Sequence, residues 1–426
     1  MAVPLLTPTD LGLSKNHKGE IRMNRFARRF LALPLAFALI TGVACGSDSK
    51  KSDSAKGADS SKADIKVGAI FDLSGATADI GTPYSEGIRD YIDFKNGSGG
   101  VDGHKLALSW QDFKYDPTLA GQLYGQYISE GAKVFMGWGT ADTEALRPRV
   151  TSDKVPFMSA SNAETLTDPS VTPYNFFPGA SYSQQMRIIL QYISDKNKGK
   201  KVGVAVFHHD SPFGTSPLED GKKYIADKKL DIDFKSYVMP KGATDYVAQI
   251  GQAKTAGAKY IIVQNVPSPA AVLATNLAAA KTDIQLVCLN YCGNEIFVKK
   301  AGAAAEKMIT VVPFAPPVAG LPGLDEINTY LKPKGTDAAA KGQGYVQGWY
   351  TTAVMLEGIK NALADGGDLT GEKIKAGLEK ITDFKTGVSD PIHFSSTYHA
   401  GLLSAPLYQV EGGQFKKIQD PIKVEK

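Results

Sequence analysis

Apolar positions beyond residue 64 form short β-rich runs that alternate with segments of helical spacing. Residues 65–71 are a run of the first kind and predict a strand. Within residues 85–96, Ile88, Tyr91 and Ile92 are spaced as on one helix face, which predicts an amphipathic helix. The folded body is therefore expected to begin with a strand followed by a helix.

The same alternation continues along the chain, with helical segments such as residues 118–128 between most of the strands. The further predicted strands are residues 106–111, 134–136, 157–158, 202–207, 232–238, 260–264, 285–289 and 309–312. This order predicts an α/β fold with parallel sheets covered by helices, and candidate ligand residues in the loops that follow the strands. Residues 65–183 and 184–310 share length and rhythm, which favours two similar lobes.

The composition agrees with two lobes and argues against a nucleic-acid partner. A chain of 426 residues suits about two domains, and a hydrophobic content of 43% is sufficient for real cores. The 48 basic and 44 acidic residues leave a net charge of only +4, part of which precedes Cys45. No nucleic-acid partner is predicted from this balance.

Residues 1–44 have the layout of a cleaved signal peptide. Residues 23–29 are basic, and residues 30–43 form an apolar stretch that is too short to span a membrane. The polar stretch before Met23 fits no signal layout, which favours a translation start at Met23. Residues 45–64 are rich in Ser, Lys, Asp, Ala and Gly and predict a flexible tether to the folded body.

Small residues precede Cys45 in the sequence TGVACG, which resembles the lipobox of bacterial lipoproteins. The resemblance implies that Cys45 becomes the lipid-modified first residue of the mature chain. Its acyl chains would then anchor the protein to the membrane by burying methylene groups. The alternative is an ordinary signal peptide with a chance cysteine.

The chain has two further cysteines, Cys288 and Cys292. Three cysteines in total are too few for a disulfide scaffold. The spacing of Cys288 and Cys292 permits a disulfide in an oxidising compartment, and two free thiols are the alternative. No metal site is predicted, because no suitably spaced His or Cys ligands lie nearby. For His208 and His209, a role as polar loop residues is favoured over metal binding or acid–base chemistry.

Several motifs, taken in their order and spacing, resemble the type I periplasmic binding proteins, and among them the leucine/isoleucine/valine receptors of ABC importers. The motifs are KVGAIFDLSG at residues 66–75, NGSGGVDG at 96–103, AKVFMG at 132–137, PFMS at 156–159, Asp210 with Phe213 and Gly214, TGVSDPIHF at 386–394, and His399. The resemblance extends from about residue 65 to residue 418. It implies two Rossmann-like lobes, joined by three crossovers, that close on a ligand by a hinge motion. Lobe one would contain residues 65–183 and 311–399, and lobe two residues 184–310 and 400–426.

The resemblance also implies ligand-binding loops in lobe one. The implied residues are Thr77 and Ile80 in loop 75–81, Thr140, Ala141 and Asp142 in loop 138–143, and Ser161 and Ala163 in loop 159–163. Backbone N–H groups and hydroxyls at a helix start can hold a carboxylate without a basic side chain. Loop 75–81 as an ordinary turn and Asp142 as a simple helix cap are the alternatives. Ala163 stands where the family often has Thr, so one hydroxyl donor is missing.

In lobe two the resemblance implies Phe213, Pro267 in loop 265–268, and Tyr291 as ligand residues. Amino-acid receptors of the family carry an acidic residue, which pairs with the ligand ammonium, at the position that aligns with Tyr291. A buried ammonium without a carboxylate partner is costly. Either another acid supplies the charge, or the ligand is an aromatic acid, an amide or another carboxylate. The candidate acids are Asp142, Glu295 and Asp210.

The implied function is extracytoplasmic capture of a small organic solute, by a monomer, for delivery to an ABC permease and ATPase complex. The alternative is a sensory lipoprotein that acts on a different membrane partner, since both functions need only ligand-dependent closure. An enzyme is not predicted, because the phosphate-loop, H-E-x-x-H and G-x-S-x-G motifs are absent from the sequence. No cofactor is expected.

Overall fold

The computed structural model describes residues 62–424 of the chain. The predicted signal peptide, the predicted lipidation site at Cys45 and most of the predicted tether lie outside these residues. The tether prediction is wrong for residues 62–64, because the first strand already starts at Lys62, which pairs with His104.

The strands, in chain order, are β1 (Lys62–Phe71), β2 (His104–Asp112), β3 (Val134–Met136), β4 (Phe157–Met158), β5 (Asn175–Ala180), β6 (Val202–His209), β7 (Ile232–Met239), β8 (Ala258–Gln264), β9 (Gln285–Cys288), β10 (Ile309–Val311), β11 (Ala400–Leu402), β12 (Ser404–Glu411) and β13 (Gln414–Lys423). They form a first sheet in the order β11-β5-β4-β3-β1-β2 and a second in the order β13-β12-β10-β9-β8-β6-β7. We call the parts of the chain built on these sheets lobe one and lobe two.

The α-helices are α1 (Ala78–Gly97), α2 (Pro117–Ser129), α3 (Thr140–Asp153), α4 (Tyr182–Lys196), α5 (Pro212–Thr215), α6 (Leu218–Asp227), α7 (Val247–Thr255), α8 (Pro267–Ala279), α9 (Glu295–Ala301), α10 (Asp325–Leu331), α11 (Ala338–Lys341), α12 (Gln343–Ala364) and α13 (Gly371–Glu379). Within residues 62–424, no helix is both long enough and apolar enough to cross a membrane.

The predicted α/β class is confirmed by two mostly parallel sheets. All pairs in the first sheet are parallel, and so are the pairs from β6 to β10 in the second. The exception is β12, which pairs antiparallel with both β10 and β13, the second strand of its hairpin. Gly412 and Gly413 form its two-residue turn with φ of 60° and 75°, a left-handed conformation that glycine adopts without strain.

The chain passes between the sheets three times: after β5, after β10, and at Leu403 between β11 and β12. Two expected lobe boundaries need correction. Val311 belongs to the second sheet because it pairs with Leu407, and residues 400–402 belong to the first because Ala400 pairs with Phe177. The hydrophobic pattern alone does not show which sheet these short strands join, since each would be buried in either sheet.

Helix α1 begins at Ala78, seven residues before the predicted start at Ser85. The buried carboxylate of Asp72 explains the early start, because it accepts hydrogen bonds from the N–H groups of Gly75 (2.5 Å) and Thr77 (2.8 Å). These bonds close the turn after β1 within a few residues. The expected loop 75–81 is therefore half turn and half first helical turn.

Helices α1 and α12 pack against each other in the core of lobe one. Their contact depends on Gly87 and Gly348, because a Cβ at either position would overlap a backbone carbonyl oxygen of the facing helix. Trp349, fully buried, packs its ring edge-to-face on Tyr91 at 5.0 Å between centroids. This packing fixes the start of α12 beside the ends of the first-sheet strands.

Candidate functional site

A small pocket lies where the loops after the strands of both sheets meet. Its lining residues are Thr77, Ile80, Tyr115, Trp138, Gly139, Thr140, Ala160, Tyr182, Phe213, Val266 and Tyr291. Each segment that contributes follows a strand: β1 to β5 in lobe one, and β6, β8 and β9 in lobe two. This is the expected ligand position in an open parallel sheet, at the carboxyl ends of the strands.

Aromatic rings from both lobes form most of the pocket wall. Tyr182 and Phe213 meet edge-to-face with their centroids 5.4 Å apart, and Tyr291 lies 6.1 Å from Phe213 and 6.4 Å from Trp138. Tyr115 of lobe one lies 6.0 Å from the ring of His209 in lobe two. Such rings give a large apolar contact area with little conformational freedom, so the pocket suits a ligand with an apolar body.

In lobe one a short hydrogen-bond chain fixes the floor of the pocket. The indole N–H of Trp138 donates to the Thr77 hydroxyl at 2.8 Å, and that hydroxyl donates to the Asp72 carboxylate at 2.7 Å. All three residues are buried. The polar atoms of Trp138 and Thr77 are thus used within the protein, and the indole ring is held in one orientation.

The hydroxyls of Thr140 and Ser161 lie 2.7 Å apart, beside Tyr182. The Ser161 hydroxyl also accepts a long hydrogen bond, 3.4 Å, from the N–H of Ala163. Burial raises the pKa of Tyr182, so its hydroxyl stays protonated. Ser161 therefore supports Thr140 from behind, and only Thr140 of this pair lines the pocket.

Asp142 is fully buried but does not line the pocket. Its Oδ2 accepts a hydrogen bond from the N–H of Gly139 at 3.0 Å, which closes a capping arrangement at the start of α3. Burial raises the pKa of Asp142 to about 8, and the nearby Asp72 adds to this effect. Near neutral pH the side chain is mostly protonated, so it acts as a helix cap and carries little negative charge.

Tyr291 connects the two lobes through its hydroxyl. This group donates to the carbonyl oxygen of Ala160 in lobe one at 2.5 Å and accepts a hydrogen bond from Nε2 of Gln347 at 3.0 Å. Burial raises the pKa of Tyr291 well above its usual value, so the donor stays protonated. Tyr291 thus makes a direct hydrogen bond across the cleft.

The two other acids considered as partners for an ammonium also lie away from the pocket. Oε1 of Glu295 accepts a hydrogen bond from the N–H of Gln343 at 3.2 Å, where α12 begins. Asp210 is exposed at the end of β6. Neither Glu295 nor Asp210 is among the lining residues.

The structure therefore places the sequence-derived residues in three groups. Those that line the pocket are Thr77, Ile80, Thr140, Phe213 and Tyr291, while Ser161 lies directly behind Thr140. Those that do not line it are Ala141, Asp142, Ala163 and Pro267. Pro267 is the first residue of α8, and its neighbour Val266, which precedes the helix, lines the pocket instead.

The further lining residues that sequence reasoning did not select are Tyr115, Trp138, Gly139, Ala160, Tyr182 and Val266. Their common signal is position, since each lies within a few residues of the end of a strand. Tyr182 escaped this criterion because β5 was not predicted. Its sequence, NFFPGA, is buried throughout and contains Pro and Gly, so it carries neither alternation nor a β-branched run.

Cys288 and Cys292 form a disulfide in the structure, with Cα atoms 5.5 Å apart and both residues fully buried. The two cysteines enclose the loop that carries Tyr291. Of the two alternatives left open by the sequence, the structure adopts the bonded one. The bond limits the conformations of this loop and so helps to keep the Tyr291 ring at the pocket.

His208 and His209 are the last residues of β6 and are buried, not the polar loop residues that the sequence suggested. Burial lowers the pKa of His209, whose Nδ1 lies 2.8 Å from the Ser211 hydroxyl. The imidazole is thus neutral near pH 7. It packs between Tyr115 and Phe213, with centroids 6.0 and 5.8 Å away, and supports the aromatic wall from behind.

Proteins with similar sequences are named as amino-acid-binding proteins. The Leu/Ile/Val-binding protein homolog 2 of Brucella abortus is 22% identical over 330 residues, which is 77% of this chain and 85% of that protein. Homolog 3 of Brucella melitensis is 26% identical over 203 residues, 47% of this chain, and there the chain spans only 54% of the relative.

Solved structures share the fold. A branched-chain amino acid ABC transporter protein of Thermus thermophilus with bound valine superposes with a TM-score of 0.80 at 23% identity, over 85% of this chain and 97% of that one. The fatty acid ABC transporter substrate-binding protein of Thermomonospora curvata gives 0.76 at 20% identity, over 85% and 93%. A profile of the periplasmic binding protein family matches residues 64–414. The chain therefore belongs to the periplasmic binding protein family.

Proposed function

We propose that this protein is the extracytoplasmic solute receptor of an ABC importer, which captures a small organic acid or apolar amino acid by closing its lobes. The observation that carries this proposal is the pocket itself. Its walls come from the carboxyl ends of strands in both lobes, so neither lobe binds the solute alone. Relatives and structural neighbours named for Leu/Ile/Val, valine and fatty acids support a solute of this kind.

Hydrogen bonds between the lobes support a closing motion. Tyr291 reaches Ala160 at 2.5 Å. Both the N–H and the hydroxyl of Ser268, at the start of α8, donate to Oδ2 of Asp79, at 3.0 and 2.8 Å. These bonds join segments connected only through the crossovers, so a hinge at the crossovers breaks and remakes them together.

Solute binding is tested by a thermal-shift screen of the purified protein against apolar amino acids, aliphatic and aromatic acids, and amides. A ligand at about 100 times its Kd stabilises the folded state by about 2.7 kcal/mol, which gives a clear upward shift in Tm. Small-angle scattering with the same ligand should show a smaller radius of gyration, because binding favours the closed lobes.

A matched pair of variants links the effect to the pocket. Phe213→Ala removes a buried ring from the wall, whereas Val247→Ala changes an exposed residue of α7. The first should lose most of the ligand-induced shift, and the second should retain it. A screen in which no solute shifts Tm, or in which both variants respond equally, would contradict a receptor function for this pocket.

Anchoring and delivery complete the proposal. Cys45 would carry the lipid, and the permease and ATPase would receive the solute from a monomeric receptor. In cells, Cys45→Ala should abolish incorporation of labelled palmitate and release the protein from the membrane fraction. Uptake of the solute found in the screen should fall in the same strain, and labelled palmitate on Cys45→Ala would disprove this attachment site.

A further inference from the structure

We infer that the solute carries no ammonium group, and that this pocket takes a monocarboxylate with an apolar body in preference to the matching amino acid. This inference rests on the proposed receptor function and narrows its substrate class. The charges, the hydrogen-bond acceptors and the hydrogen-bond donors at the pocket all support it.

The pocket has no charge to pair with an ammonium. Among the described residues, none of those that line it is acidic or basic. The three acids that the sequence suggested are otherwise placed: Asp142 caps α3, Glu295 accepts from the start of α12, and Asp210 is exposed. Asp72, behind Thr77, accepts hydrogen bonds from Gly75 and Thr77, and Asp79 accepts from Ser268. An ammonium transferred from water into this wall would lose its hydration without gaining a counter-charge.

Three hydrogen-bond acceptors at the pocket already accept from protein donors. The Ala160 carbonyl accepts the hydroxyl proton of Tyr291, the Thr77 hydroxyl accepts from Trp138, and the carbonyl of Gly139 accepts from both the N–H and the hydroxyl of Thr143. The Tyr291 hydroxyl therefore occupies the Ala160 carbonyl, to which a ligand N–H could otherwise donate. The Tyr291 hydroxyl thus donates to lobe one in place of a ligand ammonium. Its presence also means that the acid expected at this position is missing.

One donor at the pocket remains available to a ligand. Thr140 lines the pocket and is the first residue of α3, a helix of 14 residues, and its N–H makes no hydrogen bond within the described residues. The Gly139 N–H beside it is used by Asp142. A free N–H at a helix N-terminus favours an acceptor with negative charge, which is what a carboxylate provides and an amine does not.

The rest of the ligand must be apolar. Ile80, Phe213 and Val266 present no polar side-chain atom, and the polar atoms of Trp138 and Tyr291 are used within the protein. A ligand hydroxyl or amine against these five residues would lack a partner and would weaken binding. A branched aliphatic or phenyl group satisfies this requirement.

The test uses sets of three compounds that differ only in their charged groups. One set is leucine, 4-methylpentanoate and 3-methylbutylammonium, and another is phenylalanine, 3-phenylpropanoate and 2-phenylethylammonium. Isothermal titration of the full-length protein should give the acid at least about tenfold tighter binding than its amino acid or amine, because only the acid avoids an unpaired buried charge.

Two variants test the assignment of Tyr291. Tyr291→Glu provides a carboxylate for an ammonium, so the preference should move by about tenfold or more towards leucine and phenylalanine. Tyr291→Phe keeps the ring and frees the Ala160 carbonyl, so the discrimination against the amino acids should decrease without reversing. Circular dichroism and Tm of each variant show whether it is folded.

The outcomes are distinguishable. An amino acid or amine that binds the wild-type protein as tightly as its matching acid overturns the inference and leaves the receptor function intact. Absence of binding by every compound overturns the inference together with the proposed class of solute. A preference for acids that Tyr291→Glu leaves unchanged overturns the role of Tyr291.

Discussion

Asp72 and Asp142 are both fully buried next to the pocket, but they differ in how their oxygens are used. The carboxylate of Asp72 accepts hydrogen bonds from Gly75 and Thr77 through both of its oxygens. In Asp142, Oδ2 accepts a hydrogen bond from the Gly139 N–H, whereas Oδ1 has no hydrogen-bond partner among the described residues. Asp72 therefore stabilises the turn after β1, whereas Asp142 is stable in the fold mainly in its protonated form.

This difference predicts the pH dependence of stability at Asp142. Its pKa is about 8 in the folded state, against roughly 4 for an unfolded aspartate. Between these values the folded state holds more protons, so the contribution of Asp142 to the free energy of unfolding falls as pH rises from about 4 to about 8. Asp142→Asn keeps an acceptor for Gly139 and removes this dependence.

Urea denaturation of both proteins between about pH 5 and about pH 10 measures the effect. The wild type should lose stability relative to Asp142→Asn as pH rises, and the difference should level off above pH 8. Parallel curves for the two proteins would mean that Asp142 is ionised in the folded state, with a partner for its charge.

At the scale of elements, the packing of α1 on α12 determines where lobe one presents its pocket residues. Ile80 lies in the first turn of α1, and Gln347, which bonds Tyr291, lies in the first turns of α12. The helices approach so closely because Gly87 and Gly348 face backbone on the other helix. Local sequence predicts a helix at residues 85–96 within α1, whereas the separation of the two helices depends on the two glycines.

Gly348→Ala should destabilise the protein by about 1–3 kcal/mol, because the added methyl overlaps the Tyr84 carbonyl and the helices must separate. Gly121→Ala is the matched control in helix α2, where a Cβ meets no atom within 4 Å. That change should be neutral or stabilising by up to about 1 kcal/mol. Equal effects of the two substitutions in chemical denaturation would contradict a close contact of α1 and α12.

At the scale of the whole molecule, the proposed closure would depend on hydrogen bonds across the cleft. Asp79 at the start of α1 accepts two hydrogen bonds from Ser268 at the start of α8. Burial raises the pKa of Asp79 in this arrangement of the lobes, so its negative charge is less favourable here than in water, even though Oδ2 accepts from Ser268. The hydrogen bonds, and not the charge, are expected to favour closure.

Asp79→Ala leaves both Ser268 donors unpaired when the lobes close, so ligand affinity should fall by roughly tenfold. Asp79→Asn retains an acceptor and should lose clearly less. The control is Asp93→Ala, an exposed acid on the same helix, which should bind as the wild type does. Titration with the tightest ligand of the screen gives the three values, and an Asp79→Ala affinity equal to that of Asp93→Ala would show that this contact does not contribute to closure.

Much of the fold was accessible from the sequence because its signals are local. The strands β1, β3 and β4 coincide with predicted runs within a few residues, since contiguous β-rich residues and adjacent turn signals define them. The strands β5 and β11 escaped prediction because short, fully buried strands show no alternation. The start of α1 was misplaced because the Asp72 turn, which closes through a side chain, has no periodic signal.

The sequence by itself therefore determined the α/β class, the loops in which to look for a ligand, and the presence of Tyr291 where an acid was expected. Only the tertiary structure decided which residues of those loops form the pocket, that Asp142 caps the start of α3, and that the Tyr291 hydroxyl bonds Ala160. The physical reason is distance along the chain. Ala160 and Tyr291 are separated by 131 positions, and a contact of that kind is set by how two lobes pack, which no local pattern of hydrophobic and polar residues records.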